Sequence, residues 1–268
     1  MEQLMRTDLA LEAKERFEQD NVEIKGVILE KEGKRIPVTT VVIETQEAAD
    51  KMQKPIGTYI TIEIPEEGAR DEKVLETFYK YFQKLKKDNS WKKALVVGLG
   101  NREVTPDRLG PEMTKYILVS RTLNTIAPGV LGQTGMETVS IIKGIVAETK
   151  PDVLVAVDAL AARNTKRLNR TIQMTDTGIH PGAGVGNFRP ALNRDTLGID
   201  VIAVGVPTVV DALTIVADNL EKLGAQELLT YMDQKELREF FVTPNDIDES
   251  IFHMSRLLAE GMNAVFGE

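Results

Sequence analysis

The sequence predicts an α/β protein with a mostly parallel sheet flanked by helices and a small antiparallel sheet near its N-terminal end. Three observations predict it. Ala94-Leu95-Val96-Val97-Gly98, Val153-Leu154-Val155-Ala156-Val157 and Val201-Ile202-Ala203-Val204-Gly205-Val206 are apolar, β-prone runs of strand length. Such runs mark central parallel strands buried on both faces. The stretches between them repeat their apolar residues at helical spacing. The segment before Pro65 instead carries short extended pieces joined by turns. With 268 residues the chain can bury one substantial core, so residues 1–268 read as a single α/β domain with 23–64 as its antiparallel subregion.

Each element has a local reason. Residues 6–20 are charged and moderately helical. Glu23 to Glu30 and Ile36 to Glu44 are extended, and Lys31-Glu32-Gly33-Lys34-Arg35 between them is a turn, which predicts a hairpin. Thr58 to Ile64 alternates, with Ile60, Ile62 and Ile64 on one face and Thr61 and Glu63 on the other, as in a half-exposed strand. Val74, Leu75, Phe78, Phe82 and Leu85 then recur at helical spacing. After the first apolar run come a loop to Asp107 and a helix over 108–121. Ile126-Ala127-Pro128-Gly129 holds too many breakers for a helix. Residues 136–149 form a helix with Val139, Ile142 and Val146 inward. The second run leads into Asp158, a short segment Arg170 to Thr175 and a glycine-rich loop from Gly178 to Asn187. The third run ends at Pro207-Thr208, with a helix over 209–223 behind it. Thr243-Pro244 opens a last helix with Pro at the first helical position, and its apolar stripe is Ile247, Ile251, Met254, Leu258 and Met262.

Composition narrows the chemistry. Cysteine is absent, so disulfides, thiolate metal sites and cysteine nucleophiles are out. The formal charge of −8 argues against a nucleic-acid surface. The basic stretch Lys84 to Lys93 reads as the solvated end of a helix. No signal peptide layout opens the chain, and no apolar run approaches the roughly 20 residues that span a bilayer. Cytoplasmic residence fits these facts. Serine nucleophiles lack a Gly-x-Ser-x-Gly elbow, and His-Glu-x-x-His is missing.

Carboxylates remain. Asp107 and Asp158 each follow an apolar run, where open α/β sheets gather their working groups. Either could instead cap a helix or close a turn. Gly98-Leu99-Gly100 hints at a dinucleotide site, but the third glycine position is Glu103, whose charge opposes a pyrophosphate. A nucleotide-dependent oxidoreductase is thus a weak alternative. Asp176-Thr177-Gly178 matches the aspartic-protease tripeptide, yet stands alone in an α/β chain and reads as a turn. His180 lies in the glycine-rich loop, as a ligand-facing group or as a loop histidine satisfied by backbone. His253 sits near the last apolar stripe and reads as structural.

Longer motifs are more specific. Arg6-Thr7-Asp8-Leu9-Ala10-Leu11-Glu12-Ala13, Val96 to Asn101, Val104-Thr105-Pro106-Asp107-Arg108-Leu109-Gly110-Pro111, Ile126 to Val130, Ala156-Val157-Asp158-Ala159-Leu160-Ala161-Ala162-Arg163, Thr175 to Gly182 and Gly205 to Ala212 resemble the germination protease family of spore-forming Firmicutes. The resemblance covers nearly the whole chain. It implies an endopeptidase that degrades small acid-soluble spore proteins, working in the cytoplasm of the forespore and spore core. It implies a zymogen that loses its N-terminal segment autocatalytically, a homotetramer, and a fold like the hydrogenase-maturation proteases and phosphorylases. No cofactor, direct nucleic-acid partner or membrane is implied. The family's catalytic aspartates fall on Asp107 and Asp158. Five residues precede Arg6, and the connections from Arg121 to Ile126 and after Leu223 are short for the family, so a shortened pro-segment and trimmed loops are expected.

Two carboxylates in one site can activate a water and protonate a leaving amine, because like charges push one pKa up. Which aspartate is base and which is acid stays open, since the pair titrates as a unit. Asn101, Thr105 and His180 are supporting candidates by position. Asp8-Leu9-Ala10-Leu11-Glu12 resembles the pattern the family cuts, so cleavage after Asp8, before Leu9, is expected as self-processing. One alternative keeps the fold and binds a metal through Asp107, Asp158 and His180. Another is a non-catalytic assembly protein associating through the Ile247 to Met262 stripe.

Overall fold

One sheet runs through the described part of the chain, a computed structural model that covers residues 7–19, 24–65, 72–86, 91–180 and 190–267. Residues 1–6, the start of the first hairpin segment at Glu23, the middle of the Lys84–Lys93 stretch and the glycine-rich run past His180 lie outside the described residues. In chain order the elements are α1 (Ala10–Gln19), β1 (Val27–Glu32), β2 (Val38–Ile43), α2 (Gln46–Met52), β3 (Gly57–Glu63), α3 (Glu72–Leu85), β4 (Ala94–Gly98), α4 (Leu109–Thr114), β5 (Leu123–Ile126), α5 (Leu131–Thr134), α6 (Thr138–Thr149), β6 (Val153–Ala162), β7 (Thr171–Thr175), α7 (Arg194–Leu197), β8 (Asp200–Asp211), α8 (Ala212–Lys222), α9 (Gln234–Leu237), β9 (Phe241–Val242) and α10 (Ile247–Phe266).

The strand order is β1-β2-β3-β7-β8-β6-β4-β5, with β9 beside the end of β8. β5, β4, β6 and β8 pair in parallel. β1, β2, β3 and β7 pair antiparallel, and β7 closes onto β8 antiparallel as well. The sheet is therefore mixed, which corrects the expectation of a mostly parallel one. The N-terminal hairpin is not a separate small sheet either, because β7 joins it to the parallel half. Burial alone carries no strand direction, so a short buried segment such as Thr171–Thr175 does not show which way it runs.

Helices cover both faces. On one, α3, α4 and α10 bury Val74, Phe78, Phe82, Met113, Ile251 and Leu258 against Val96, Val155 and Val204. Gly261 of α10 leaves the space that the Phe78 ring fills. Both phenylalanines are fully buried, and removing either ring should cost about 3–5 kcal/mol. On the other face α6 places Val139, Ile142 and Val146 over Leu95, Val97 and Leu154. At the antiparallel end α1 and α2 cover Val41, Ile43 and Tyr59. That cover explains why β3 is not half-exposed: Thr61 is as buried as Ile60 and Ile62.

Boundaries differ where tertiary contacts override local signals. The helix expected over 108–121 is only α4, Leu109–Thr114. β8 does not stop at Pro207 but continues to Asp211, so α8 begins at Ala212 rather than 209. It does so through a bulge. Leu160 pairs with Pro207 and Ala161 with Val209, leaving Thr208 unmatched, a place where a proline without a donor is tolerated. Thr243 Oγ1 donates to the Thr208 carbonyl at 2.8 Å.

Candidate active site

β4 ends at Gly98, opposite Val157, whereas β6 continues to Ala162. Leu99 N donates to Val157 O at 2.8 Å and closes the shared ladder. Asp158 is the next residue. It lies within its strand rather than at the strand end, but where the neighbouring strand has just stopped. It is 8% exposed. One carboxylate oxygen accepts the Ala159 amide at 2.9 Å. Burial pushes the Asp158 carboxyl well above the ordinary value, and the nearby Asp107 charge raises it further; the Ala159 bond opposes both, and Asp8 adds a smaller push upward.

Asp107 arrives from the other side of the gap, on the loop that follows β4. Gly100 adopts φ +115°, and a Cβ there would collide with the Asp107 carbonyl. Only glycine holds this turn without strain. A single 3-10 turn, Thr105–Asp107, then presents the half-buried carboxylate, which accepts the Asn101 main-chain amide at 2.7 Å. Asp107 does not cap α4, whose cap position is Arg108 with no side-chain bond. The loop is seated by backbone contact. A Cβ on Gly98 would strike the Gly110 carbonyl, and one on Gly110 would strike Leu99. The Gly98-Leu99-Gly100 motif therefore packs the acidic loop on the sheet instead of cradling a phosphate.

Both aspartates line one cavity of about 590 Å³. Its opposite wall comes from the antiparallel half. α2, capped by Thr45 through Ala48 N, ends at Gln53 in a left-handed conformation (φ 52°), and this turns Lys54 and Pro55 toward the cavity. Tyr59 of β3 donates to Pro55 O at 2.8 Å. Burial is the main cause pushing its phenol up to about 12, with Asp176 adding to it and Thr177 opposing. Gln173 of β7 is buried and also lines the space. Asp176 accepts Thr58 N at 2.8 Å, tying β3 to the end of β7, which is the turn role expected for Asp176-Thr177-Gly178.

The other candidates take definite places. Asn101 lines the cavity and acts on Asp107 through its main chain; its side-chain oxygen accepts Gln133 Nε2 at 2.7 Å. His180 lines the cavity with its side chain exposed. Thr105 forms the turn under Asp107 but is not among the residues lining the cavity. Asp8 lines it, and Leu9 beside it is fully buried. His253 pairs with Glu249 at 3.3 Å, away from the cavity. Among the described residues no three His, Asp or Glu side chains are grouped to hold a metal ion, so the Asp107, Asp158 and His180 set gains no support as a ligand triad. Lys54 and Gln173 line the cavity but carry no motif in the sequence that marks them. Gln173 alternates with Ile172 and Met174 as Thr171 and Thr175 do, so its pattern alone does not set it apart.

Fold and cavity together define an α/β protein with an acidic cleft where a parallel strand outruns its neighbour. Comparison with known proteins makes this specific. A family model described as germination protease matches residues 4–224. A germination protease of Clostridium tetani is 42% identical over 97% of this chain and 94% of its own length. One of Bacillus velezensis is 38% identical over 99% of this chain and 94% of its own. A solved NiFe hydrogenase maturation protease from Thermococcus kodakarensis shares 14% identity at a TM-score of 0.42, covering 68% of this chain and 99% of that one. The chain belongs to the germination protease family, and it is a protease. No described helix is long and apolar enough to cross a membrane.

Proposed function

We propose that this chain is an endopeptidase that starts the degradation of small acid-soluble spore proteins during germination, and that Asp107 and Asp158 form its catalytic pair. One observation carries the reading: a carboxylate within β6 and one from the loop after β4 line one cavity, and the charge on Asp107 raises the pKa of Asp158. Asp158, buried and pushed up, holds the proton. Asp107, more exposed and held by the Asn101 amide, is the base. A water between them loses a proton to Asp107 as its oxygen attacks the peptide carbonyl. Asp158 supplies the proton that passes to the leaving nitrogen. Acid–base help of this kind is worth about 10²–10⁴-fold. His180 contacts the substrate at the rim.

The same cavity processes the protein's own head, after Asp8, in keeping with a zymogen. The working form is a homotetramer in the spore interior. The test is digestion of a purified small acid-soluble spore protein, read by mass spectrometry. Discrete fragments are expected, persisting under strong chelation, and Asp107→Asn or Asp158→Asn should abolish them. Cleavage that stops on chelation would favour the metal alternative. Cleavage that survives both substitutions would remove the aspartate pair.

A further inference from the structure

The cavity wall facing the aspartates carries polar groups that the two-carboxylate mechanism leaves unused, and they converge on one stretch of backbone. Asp8 lies against β6 beyond the end of β4. Its amide donates to Ala161 O at 2.9 Å, and its carboxylate accepts Ala161 N at 2.8 Å. Its carbonyl oxygen accepts from Lys54 Nζ at 3.0 Å and from Gln173 Nε2 at 3.1 Å. Ala10 N returns a bond to Gln173 Oε1 at 2.7 Å. Strand pairing would give that carbonyl one amide partner; here it has two side-chain donors, one of them an ammonium.

Sheet register relates this clamp to the acids. Asp158 pairs with Gly205, and Gly205 pairs with Gln173. Asp158 and Gln173 thus stand in one row across the sheet, two strand spacings apart, roughly 10 Å. Residues directly opposite in a sheet share a face. A carbonyl held by Gln173 is therefore on the face from which Asp158 projects.

We propose that Lys54 and Gln173 are positioning residues that clamp the carbonyl of the peptide bond to be cut, and that the Ala161 amide reads an acidic side chain on the residue bearing that carbonyl. The Asp8–Leu9 stretch occupies this place in the structure, and a substrate takes it in the same register. The inference rests on the protease reading of the cavity. Two donors on one carbonyl oxygen draw charge from its carbon and are ready for the oxyanion that follows attack. Burial pushes the Lys54 ammonium down from its ordinary value, with Asp8 and Glu12 opposing. A poorly hydrated cation of this kind binds a carbonyl more strongly than one in water. The balance is simple hydrolysis. Hydroxyl from water bonds to the clamped carbon, the bond to the next nitrogen breaks, and that nitrogen takes the other proton. An acidic residue with a new carboxylate and an apolar residue with a new amine remain.

The test uses the full chain and two fluorogenic peptides copying residues 4–14, one with Asp and one with Asn at the position of Asp8. The wild type should favour the Asp peptide about tenfold in kcat/KM. Lys54→Met should lower kcat about 100-fold with KM within about threefold, and Lys54→Arg should recover much of the loss. Gln173→Leu should give a smaller fall. A purely structural Lys54 predicts the opposite sign. Its removal would free the head of the chain, open the cavity, and leave kcat unchanged or raised, overturning the proposal. Equal cleavage of both peptides would remove Ala161 as the reader. If the wild type cuts a spore protein but neither peptide, the register is wrong and the protease reading stands; if it cuts nothing, both fall. Should Lys54→Met unfold, Lys54→Arg and Gln173→Leu carry the same comparison.

Discussion

The two walls of the cavity are built differently. On the parallel side, Asp107 and Asp158 are placed by main chain: glycines let the acidic loop touch β4 directly, and the carboxylates accept the Asn101 and Ala159 amides. On the antiparallel side the groups are long, flexible side chains, Lys54 and Gln173, that reach a peptide carbonyl with their terminal nitrogens. The side assigned to the chemistry has almost no rotatable freedom. The side assigned to clamping the carbonyl has a good deal. Bond-making tolerates little displacement, whereas a peptide must enter and leave.

Substitutions can break this contrast or sharpen it. The largest effect belongs to the acids. Asp107→Asn and Asp158→Asn should each lower kcat by about 10²–10⁴-fold with circular dichroism unchanged, since an Asn oxygen can still accept the same amide. Next is Gly100→Ala. The φ of +115° is strained for any side chain, at about 1–3 kcal/mol, and the added methyl must displace the Asp107 carbonyl. Denaturant unfolding should show that loss together with a large fall in kcat. If activity survives, main-chain placement does not govern Asp107.

A third effect concerns stability against pH. Burial and the Asp107 charge raise Asp158. Between its ordinary value and the raised one, the unfolded chain is ionised there and the folded chain is not. Stability therefore falls as pH rises through that window. Asp158→Asn removes the titration, so it should unfold at higher denaturant than wild type at neutral pH. The advantage should shrink toward the ordinary Asp value. A variant weaker than wild type at every pH would refute the buried-acid account. The smallest effect tests the tether on the other wall. Asp176→Ala loses the bond to Thr58 N and should cost about 1 kcal/mol, with little change in kcat.

Much of this was legible in the sequence, unevenly. Both aspartates trail apolar runs, so elementary strand reasoning finds them, and the Gly98 and Gly100 positions announce a tight exit from β4. Direction was not legible: nothing in Thr171 to Thr175 shows that β7 runs against β8. Lys54 was hidden for another reason. It follows α2, a seven-residue helix whose sequence signal is the Thr45 cap, and it lines the same cavity as Asp158 although more than a hundred residues separate them. Asp158 reads as a strand terminus in the sequence because the strand continues through Ala159-Leu160-Ala161-Ala162, apolar residues of high helix propensity.

Thr208, the unmatched residue of β8, has a consequence of its own. Ahead of it Val204 and Val206 join the core beneath α3 and α10. Behind it Val210 joins Leu9, Leu160 and Ala162 on the opposite side. Even-numbered positions point one way before the interruption and the other way after it, so a single supernumerary residue inverts the parity of the strand. Without it, the stretch that floors the cavity and the stretch that ends at the Asp211 cap of α8 could not both face where they do.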